Sequence, residues 1–485
     1  MSSNKKIVKN LEPKKVFEYF AEISDIPRGS GNTDKITDYL VNFAISNSLE
    51  YKKDDFNNVI ITKKTGNKKY EAIALQAHTD MVCVKTSGNK KDMSSDGIDF
   101  LIDGKYLTAD GTSLGADDGI GVAIILAILA DNKDYGRDIV GIFTSDEEIG
   151  LIGAHNIDLS NVKVSELINI DSEDFGVAVF GCAGGSQLEY EKRAKLVSRT
   201  NGTLLILKVS GLLGGHSGME ITKNRGNANK ILINVLYKLC DKTKFNLISV
   251  DGGVFDNAIP NKSEAKILIS ESVSDKELIS SLNQIIEEEV HKYKATEPGL
   301  SITFDSVNTS SNVEIFNDES TKSILSALSE LPDGLISTFE NNPDIAKTSL
   351  NMGILKTSKS SISFVYLVRS NVNEERINLV NKIYTIATKY GFEKKAESSY
   401  PAWEYKENRL EDRAIDIFKK TFESDLKVEV THGGLECGIL LEKMGDASAI
   451  AIGPTLLSVH SVDEKLDIET VGKTYNFITE FLMTE

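Results

Sequence analysis

The stretch that most constrains this chain is an apolar run at residues 72–77 that ends abruptly in His78 and Asp80. A short apolar run closed by polar residues predicts a buried strand whose last side chains lie at one edge of a sheet. His78 and Asp80 point the same way along an extended chain, so one imidazole nitrogen can bind a metal ion while Asp80 orients the other. The pattern also fits an ordinary polar strand end that only forms hydrogen bonds.

The same pattern recurs in two other apolar runs, at residues 138–144 and 167–170, and a fourth run at residues 447–452 is followed by Gly453-Pro454 and then His460-Ser461. The acidic and imidazole groups that follow them are Glu147, Glu148, Asp171 and His460. Strands alternate with helical patterns, which predicts an α/β fold with a mostly parallel central sheet. Because sites in such sheets form outside the carboxyl ends of the strands, we expect these groups to meet at one edge.

A Gly-rich segment at residues 110–121 carries the adjacent carboxylates Asp117 and Asp118 and leads into an apolar helix at residues 122–129. Phosphate binding is excluded because the Walker lysine is missing and two adjacent carboxylates would repel a phosphate. Glycines beside Asp117 let the backbone approach a bound group closely. A metal ion fits this segment better than a phosphate.

The overall charge of the chain is strongly acidic, at −17 over 485 residues. Such a chain is not expected to bind nucleic acid or an anionic membrane as its main partner. No apolar run approaches the length of a membrane span, and the polar N-terminal sequence predicts no signal peptide. The four cysteines are scattered along the chain, which predicts free thiols in a reducing cytoplasm.

The middle of the chain, residues 187–399, predicts an α+β domain inserted into a catalytic domain formed by residues 1–186 and 400–485. Its predicted strands are residues 203–209, 264–270, 301–304, 348–355 and 361–368, and its predicted helices are residues 227–240, 275–291, 319–331 and 373–390. The recurring order suggests two βαββα units from an internal duplication. Without obvious identity between the halves, duplication and chance recurrence fit equally well.

The imidazole and carboxylate groups form a donor set that suits a pair of divalent ions. Imidazole together with carboxylate suits zinc, and also cobalt or manganese. A pair of ions needs a bridging carboxylate, because two dications a few ångströms apart repel each other. Two adjacent glutamates can have different roles, since one can bind metal while the other transfers a proton.

These residues and several longer strings resemble the M20 family of two-zinc aminopeptidases and dipeptidases. The shared motifs are His78-Thr-Asp80, Gly115-Ala-Asp117-Asp-Gly, Glu147-Glu148, Asp171-Ser-Glu and His460-Ser. Four longer strings, at residues 114–121, 214–218, 257–260 and 432–438, are similar to the aminoacyl-histidine dipeptidase branch, also called Xaa-His or cytosol nonspecific dipeptidase. The resemblance covers essentially the whole chain, in order.

The resemblance implies a role for each group at the predicted edge. His78 would bind one zinc ion, His460 the other, and Asp117 would bridge the two. Glu148 and Asp171 would each complete one ion, Asp80 would orient His78, and Glu147 would be the general base. The chain departs from the family at Asp118, where asparagine is more frequent, so an extra charge there would alter metal preference or affinity.

The resemblance also implies a zinc-exopeptidase-like catalytic domain, an inserted lid domain and a homodimer formed through that lid. His216 would stabilise the oxyanion in the active site of the partner subunit, although a histidine in a Gly-rich loop also fits a plain turn. Arg369 fits either a surface charge or an anchor for a substrate carboxylate. The full predicted substrate-binding set is Asn257, Arg369, His432, Gly434 and Glu436, with Glu436 as an anchor for an α-ammonium group.

The function expected from these features is metal-dependent hydrolysis of dipeptides, including Xaa-His, in the cytoplasm. One alternative is an amidohydrolase of the same fold that acts on N-acyl amino acids. The other is an inert peptide-binding protein with a degenerate metal site. That last class predicts a missing ligand or base, whereas all seven positions are filled here.

Overall fold

The computed structural model describes residues 2–269 and 275–485 and divides into two compact units. The first unit consists of Met1–Cys182, Tyr405–Val430 and Leu435–Glu485. The second consists of Ala183–Glu404 and Thr431–Gly434. The chain therefore leaves the first unit twice, once to build most of the second unit and once for the short segment Thr431–Gly434.

The chain forms helices and strands in three stretches: up to Cys182, from Ala183 to Glu404, and from Tyr405 onward. Up to Cys182 they are α1 (Ser3–Ile7), α2 (Lys14–Ser24), α3 (Asp34–Ser46), β1 (Glu50–Lys53), β2 (Val59–Lys63), β3 (Ile73–His78), β4 (Phe100–Asp103), β5 (Tyr106–Ala109), α4 (Ala116–Ala130), β6 (Ile139–Thr144), α5 (Ile152–Asn156), β7 (Glu166–Asn169) and β8 (Val177–Cys182). The middle part contains β9 (Gly184–Arg193), β10 (Leu196–Arg199), β11 (Gly202–Ser210), β12 (Gly215–His216), α6 (Ala228–Cys240), β13 (Asn246–Gly252), β14 (Ala258–Ile259), β15 (Ser263–Ile269), α7 (Asp275–Tyr293), β16 (Ser301–Thr309), β17 (Val313–Phe316), α8 (Asp318–Glu330), β18 (Gly334–Phe339), β19 (Asn342–Thr357), β20 (Ser361–Ser370), α9 (Asn373–Lys389) and β21 (Glu393–Tyr400). The last part contains α10 (Arg409–Phe422), β22 (Lys427–Thr431), α11 (Cys437–Met444), β23 (Ser448–Ala451), β24 (Leu456–Leu457), β25 (Lys465–Asp467) and α12 (Ile468–Phe481).

The first unit is built on an eight-stranded sheet in the order β1-β2-β6-β3-β7-β23-β8-β22. Its centre is parallel, because β3 pairs in parallel with both β6 and β7, and β7 pairs in parallel with β23. These four neighbours are the four strands predicted from the apolar runs at residues 72–77, 138–144, 167–170 and 447–452. The prediction of an α/β fold with a mostly parallel sheet is confirmed.

The central strands are buried along their whole length, which explains their unbroken apolar sequence. All six residues of β3 and all six of β6 are buried. Helix α4, which is apolar on all sides, packs against β3 and α2. It extends beyond the predicted helix at residues 122–129, and Asp117 and Asp118 in its first turn have non-helical backbone angles. A helix covered on all sides needs no polar face.

The second unit contains a nine-stranded sheet in the order β16-β11-β15-β13-β19-β20-β9-β21, with β18 paired to β19. Its pairings are antiparallel, and α6 packs on β11, β15 and β19. The predicted strand at residues 264–270 corresponds to β15, and Ser270 lies outside the described residues. Strand β21 was missed because seven of its eight residues are exposed and its sequence has no alternating apolar pattern.

Helices long and apolar enough to cross a bilayer are absent from the described residues.

Candidate metal centre

The centre lies at the carboxyl-end edge of the four parallel strands of the first unit. His78 is the last residue of β3, and Glu147 and Glu148 follow β6. Asp171 follows β7, and His460 lies beyond β23. Because parallel strands end at the same edge, residues far apart in the sequence meet there.

Asp117 lies between the two imidazoles. Its Oδ1 is 3.0 Å from Nε2 of His78, and its Oδ2 is 3.1 Å from Nε2 of His460. The two oxygens of one carboxylate therefore face two different imidazoles, which is the arrangement that a bridging ligand requires.

Each imidazole has a second carboxylate beside it. Asp171 Oδ1 is 3.7 Å from Nε2 of His78, and Glu148 Oε1 is 2.8 Å from Nε2 of His460. Ligand atoms of His78, Asp117 and Glu148 all lie within 4.8 Å of one another. The site thus consists of two imidazole–carboxylate pairs that share Asp117.

The electrostatics of this cluster favour cations. Hydrogen bonds to Asp117 and Glu148 raise the pKa of His460 to about 11. Burial alone would lower the pKa of His78, but the hydrogen bond to Asp117 and the neighbouring carboxylate of Asp80 raise it well above its usual value. Burial opposes ionisation of Asp117, yet hydrogen bonds from His460 and His78 hold its pKa below the usual range. Groups that attract protons this strongly also suit a divalent ion.

Asp80 is fully buried and holds the loop after β6 as well as facing His78. Its Oδ1 is 3.5 Å from Nδ1 of His78, which is longer than a regular hydrogen bond. The same carboxylate accepts hydrogen bonds from the backbone N–H groups of Glu147 at 3.0 Å and Glu148 at 3.3 Å, and from Ser30 Oγ at 2.7 Å. Asp80 therefore orients the two glutamates in addition to the imidazole.

Glu147 has the electrostatic character of a base. Burial raises the pKa of its carboxyl well above the usual value, His78 opposes the shift, and Glu148 adds to it. A carboxylate whose pKa is raised accepts a proton more readily than an ordinary surface glutamate.

Asp118 is buried, and its neighbourhood differs from that of Asp117. Burial raises the pKa of Asp118 well above its usual value, and the charge of Asp117 adds to the shift despite the opposing charge of His78. Burial therefore disfavours the negative charge that the sequence predicted beside the bridging carboxylate.

Glu436, predicted to bind a substrate ammonium group, is fully buried beneath the edge of the sheet. Its Oε2 accepts hydrogen bonds of 2.6 Å from Gln76 Nε2 on β3 and 2.6 Å from Thr144 Oγ1 on β6. Burial raises its pKa to about 7. Oε2 of Glu436 therefore joins two strands, and the contact with a substrate ammonium group stays a prediction.

The other predicted substrate residues and His216 lie in the second unit. His432 is buried, with Nε2 2.8 Å from Ser349 Oγ and Nδ1 2.9 Å from Asn371 Oδ1. Burial lowers its pKa to about 3, and the nearby charges of Arg369 and His216 add to the shift. His432 is therefore a neutral imidazole held in one orientation.

Arg369 and Gly434 meet the same side chain, Tyr400. Arg369 Nη1 donates to the Tyr400 hydroxyl at 3.3 Å, and a Cβ on Gly434 would lie 2.6 Å from that hydroxyl oxygen. The backbone carbonyl of Asn257 accepts a 2.8 Å hydrogen bond from Ser217, next to His216. The second unit thus brings Arg369, His432 and Gly434 into one cluster and pairs the Asn257 loop with the His216 loop.

Sequence reasoning missed two buried residues that hold the centre, Glu464 and Arg28. Glu464 accepts hydrogen bonds from the backbone of residues 114–117, and Arg28 donates to carbonyls of Thr79 and Asp80. The one available signal for Glu464 was its position four residues after His460. Nothing in the loop around Arg28 distinguished it from an ordinary turn.

Three comparisons with known proteins, by family profile, by sequence and by structure, agree with one another. The sequence profile described as Peptidase family M20/M25/M40 matches residues 74–484. The chain is 31% identical over 481 residues to the cytosol non-specific dipeptidase of Escherichia coli (strain K12), covering 97% of this chain and 98% of that protein. The structure is similar to the crystal structure of aminoacylhistidine dipeptidase from Vibrio alginolyticus, with a TM-score of 0.84, 29% identity, and coverage of 98% of this chain and 97% of that one. Aminopeptidase PepT from Bacillus cereus ATCC 10987 shares the fold, at a TM-score of 0.55, 15% identity and 98% coverage of both chains.

Proposed function

We propose, from the premise that this chain belongs to peptidase family M20, that it is a metal-dependent dipeptidase that hydrolyses dipeptides, including Xaa-His. The observation that carries the proposal is the position of Asp117 between two imidazole–carboxylate pairs. The names of the Escherichia coli and Vibrio alginolyticus relatives support dipeptides as the substrate class.

Two divalent ions, most simply zinc, are the cofactor that the donor set suits, with cobalt or manganese as substitutes. His78 and Asp171 would hold one ion, His460 and Glu148 the other, and Asp117 both. Bound ions would lower the pKa of a water molecule and polarise the peptide carbonyl. The two facing oxygens of Asp117 and the proton-attracting imidazoles support this assignment.

Glu147 is the proposed general base, with Asp80 as its positioning residue. Glu147 would take a proton from the attacking water and give it to the leaving amine. Its raised pKa suits both steps, because the group must bind the proton and then release it. Asp80 supports this role by binding the backbone N–H of Glu147.

The substrate would be recognised by residues of the second unit. Arg369 is the proposed anchor for the C-terminal carboxylate of a dipeptide, since a guanidinium binds a carboxylate through two parallel hydrogen bonds. His432, Gly434 and Asn257 are proposed to contact the substrate. His216 is proposed to stabilise the oxyanion in the site of the partner subunit.

The proposed cellular location is the cytoplasm, and the proposed assembly is a homodimer formed through the second unit as a lid. The name of the Escherichia coli relative and the free cysteines support the location. The family resemblance of the His216 loop supports the assembly.

The test is hydrolysis of a panel of dipeptides by the purified chain, before and after chelation. We expect activity on dipeptides including Xaa-His, loss of that activity on metal removal, and recovery with added zinc, cobalt or manganese. Full activity in demonstrably metal-free protein would refute the proposal. A parallel panel of N-acyl amino acids tests the amidohydrolase alternative, which preferential cleavage of those compounds would support.

A further inference from the structure

The carboxylate of Glu464 binds four consecutive backbone N–H groups. Its Oε2 accepts hydrogen bonds from Leu114 at 2.7 Å and Gly115 at 2.9 Å, and its Oε1 accepts from Ala116 at 2.8 Å and Asp117 at 3.4 Å. The Glu464 side chain is buried, with 2% of the residue exposed. One enclosed carboxylate thus accepts hydrogen bonds from all four backbone N–H groups of residues 114–117, the Asp117 turn.

The opposite side of the same turn is held by Arg28, which is 1% exposed. Its Nη2 donates to the carbonyl of Gly115. Its Nη1 donates to the carbonyls of Thr79 at 3.0 Å and Asp80 at 3.1 Å, directly after His78. Gly115 itself has a φ of 69°, a left-handed conformation that glycine adopts without strain. The turn is therefore fixed by a donor side chain and an acceptor side chain.

Glu464 also belongs to the loop that carries the second imidazole. It lies four residues after His460, and its backbone N–H donates to the carbonyl of Ser461. The hydrogen bonds of its side chain therefore join the His460 loop to the Asp117 turn. A shift of either loop would move Asp117 Oδ2 away from His460 Nε2, which lies 3.1 Å away.

We infer that Glu464 is a positioning residue that locks the Asp117 turn to the His460 loop and so sets the distance between the two ligands before metal binds. This inference rests on the proposed two-metal function. Because Asp117 is the shared ligand, loosening its turn weakens the binding of both ions, not of one. Outer partners that orient metal ligands typically contribute about 10- to 100-fold to metal affinity.

A purely structural role would look different. A buried glutamate that only stabilises the fold lowers the thermal midpoint when it is replaced and leaves metal affinity of the folded protein unchanged. Glu297 in the second unit provides this comparison within the same chain. It is 2% exposed and accepts backbone hydrogen bonds of 2.8 Å from Leu213 and 2.8 Å from Gly226, distant in sequence from every proposed ligand.

The experiment is calorimetric titration of metal-free wild type, Glu464→Gln and Glu297→Gln with zinc, with folding of each checked by circular dichroism. Glutamine keeps the size of glutamate but replaces one acceptor oxygen by an NH₂ group that faces backbone donors. We expect Glu464→Gln to bind both ions about 10- to 100-fold more weakly, and Glu297→Gln to bind them as wild type does.

Wild-type affinity at both sites in folded Glu464→Gln would overturn the inference alone. A wild type that binds no zinc would instead overturn the proposed function. If Glu464→Gln does not fold, hydrogen exchange of metal-free wild type decides: the amides of residues 114–117 should exchange slowly. Rapid exchange of those four amides would overturn the inference, because the turn would then be unformed before metal binds.

Discussion

The pKa values of two neighbouring carboxyl groups, Asp117 and Asp118, shift in opposite directions because their surroundings differ. Asp117 meets two imidazoles that offset its burial, so its pKa is held low. Asp118 is buried, and its pKa is raised well above the usual value. The ionised form is therefore favoured at Asp117 and disfavoured at Asp118.

Replacing Asp118 by asparagine tests this difference. We expect Asp118→Asn to keep both metal affinity and turnover within about twofold of wild type, since a protonated carboxyl and an amide are similar in size and charge. Metal titration and kcat/KM measurements provide the check. A large change in zinc affinity would show that Asp118 is ionised when metal is bound.

The two adjacent glutamates should respond differently to alanine. Glu147→Ala should keep bound metal but lose about 10²–10⁴-fold in turnover, because a general base is removed. Glu148→Ala should lose metal affinity, because a ligand beside His460 is removed. Metal content of each purified variant, measured beside kcat, tests the assignment. The reverse pattern would mean that the roles are exchanged.

At the scale of secondary structure, the start of α6 is tied to β19 through a half-buried carboxyl group, that of Asp333. Asn227 caps α6 and donates to Asp333 Oδ1 at 3.2 Å, while that oxygen also accepts from the backbone N–H of Met352 at 2.6 Å. Burial raises the pKa of Asp333 to about 6. The junction of helix and sheet therefore contains a carboxyl group that is protonated at mildly acidic pH.

This junction should make stability depend on pH in a defined direction. Because the folded pKa of Asp333, about 6, exceeds the unfolded value of 3.8, the folded state binds more protons between these values. Its contribution to the free energy of unfolding therefore falls as pH rises from about 4 to 6, by up to about 1.4 kcal/mol per pH unit.

Asp333→Asn should remove this component of the pH dependence, since asparagine does not titrate in this range. The measurement is the difference in unfolding free energy between variant and wild type at pH 4, 5, 6 and 7, each in metal-free protein. We expect the unfolding free energy of the variant minus that of wild type to increase as the pH rises to about 6. Above that pH the difference should stay constant. A difference independent of pH from 4 to 7 would contradict the raised pKa.

At the scale of the whole molecule, the loops around His216 expose large apolar side chains. Leu213 is 57% exposed and Met219 64%, and in the loop before Asn257 Val254 is 70% exposed and Phe255 66%. Exposed apolar side chains of this size are typical of surfaces that bind another protein. They support the proposal that the second unit forms the dimer interface.

Complementation between inactive chains tests that proposal. In a mixed dimer of His216→Ala and Glu147→Ala, one active site has an intact Glu147 and an intact His216 from the other subunit. Random exchange makes half the dimers mixed, with one working site in each, so we expect about a quarter of wild-type activity. Mixing Glu147→Ala with Glu148→Ala is the control. Both residues lie in the first unit, so every active site of a mixed dimer lacks one of them and no activity should return.

The outcome is interpretable only when subunit exchange is demonstrated independently. Exchange without recovered activity would mean that His216 does not act on the partner subunit. A solution mass equal to one chain would reject the dimer.

The local pattern of the sequence determined the central sheet and the residues at its edge. Strands β3, β6, β7 and β23 are short apolar runs, the first three closed by polar groups and the last by Gly453-Pro454. Composition identifies such strands without knowledge of their neighbours. Parallel pairing then brings His78, Asp171 and His460 to one edge, which the sequence analysis predicted. The family motifs assigned expected roles to these residues.

Only the tertiary structure decided which groups are enclosed and which side chains hold the ligands in place. Glu436 is closed off by Gln76 and Thr144, Asp118 is buried, and Glu464 reaches a turn 347 to 350 residues away in the sequence. Burial and long-range hydrogen bonds depend on packing between distant segments of the chain. A local sequence pattern does not determine that packing. The same reason explains the missed strand β21, whose exposed sequence becomes a strand only by pairing with β9.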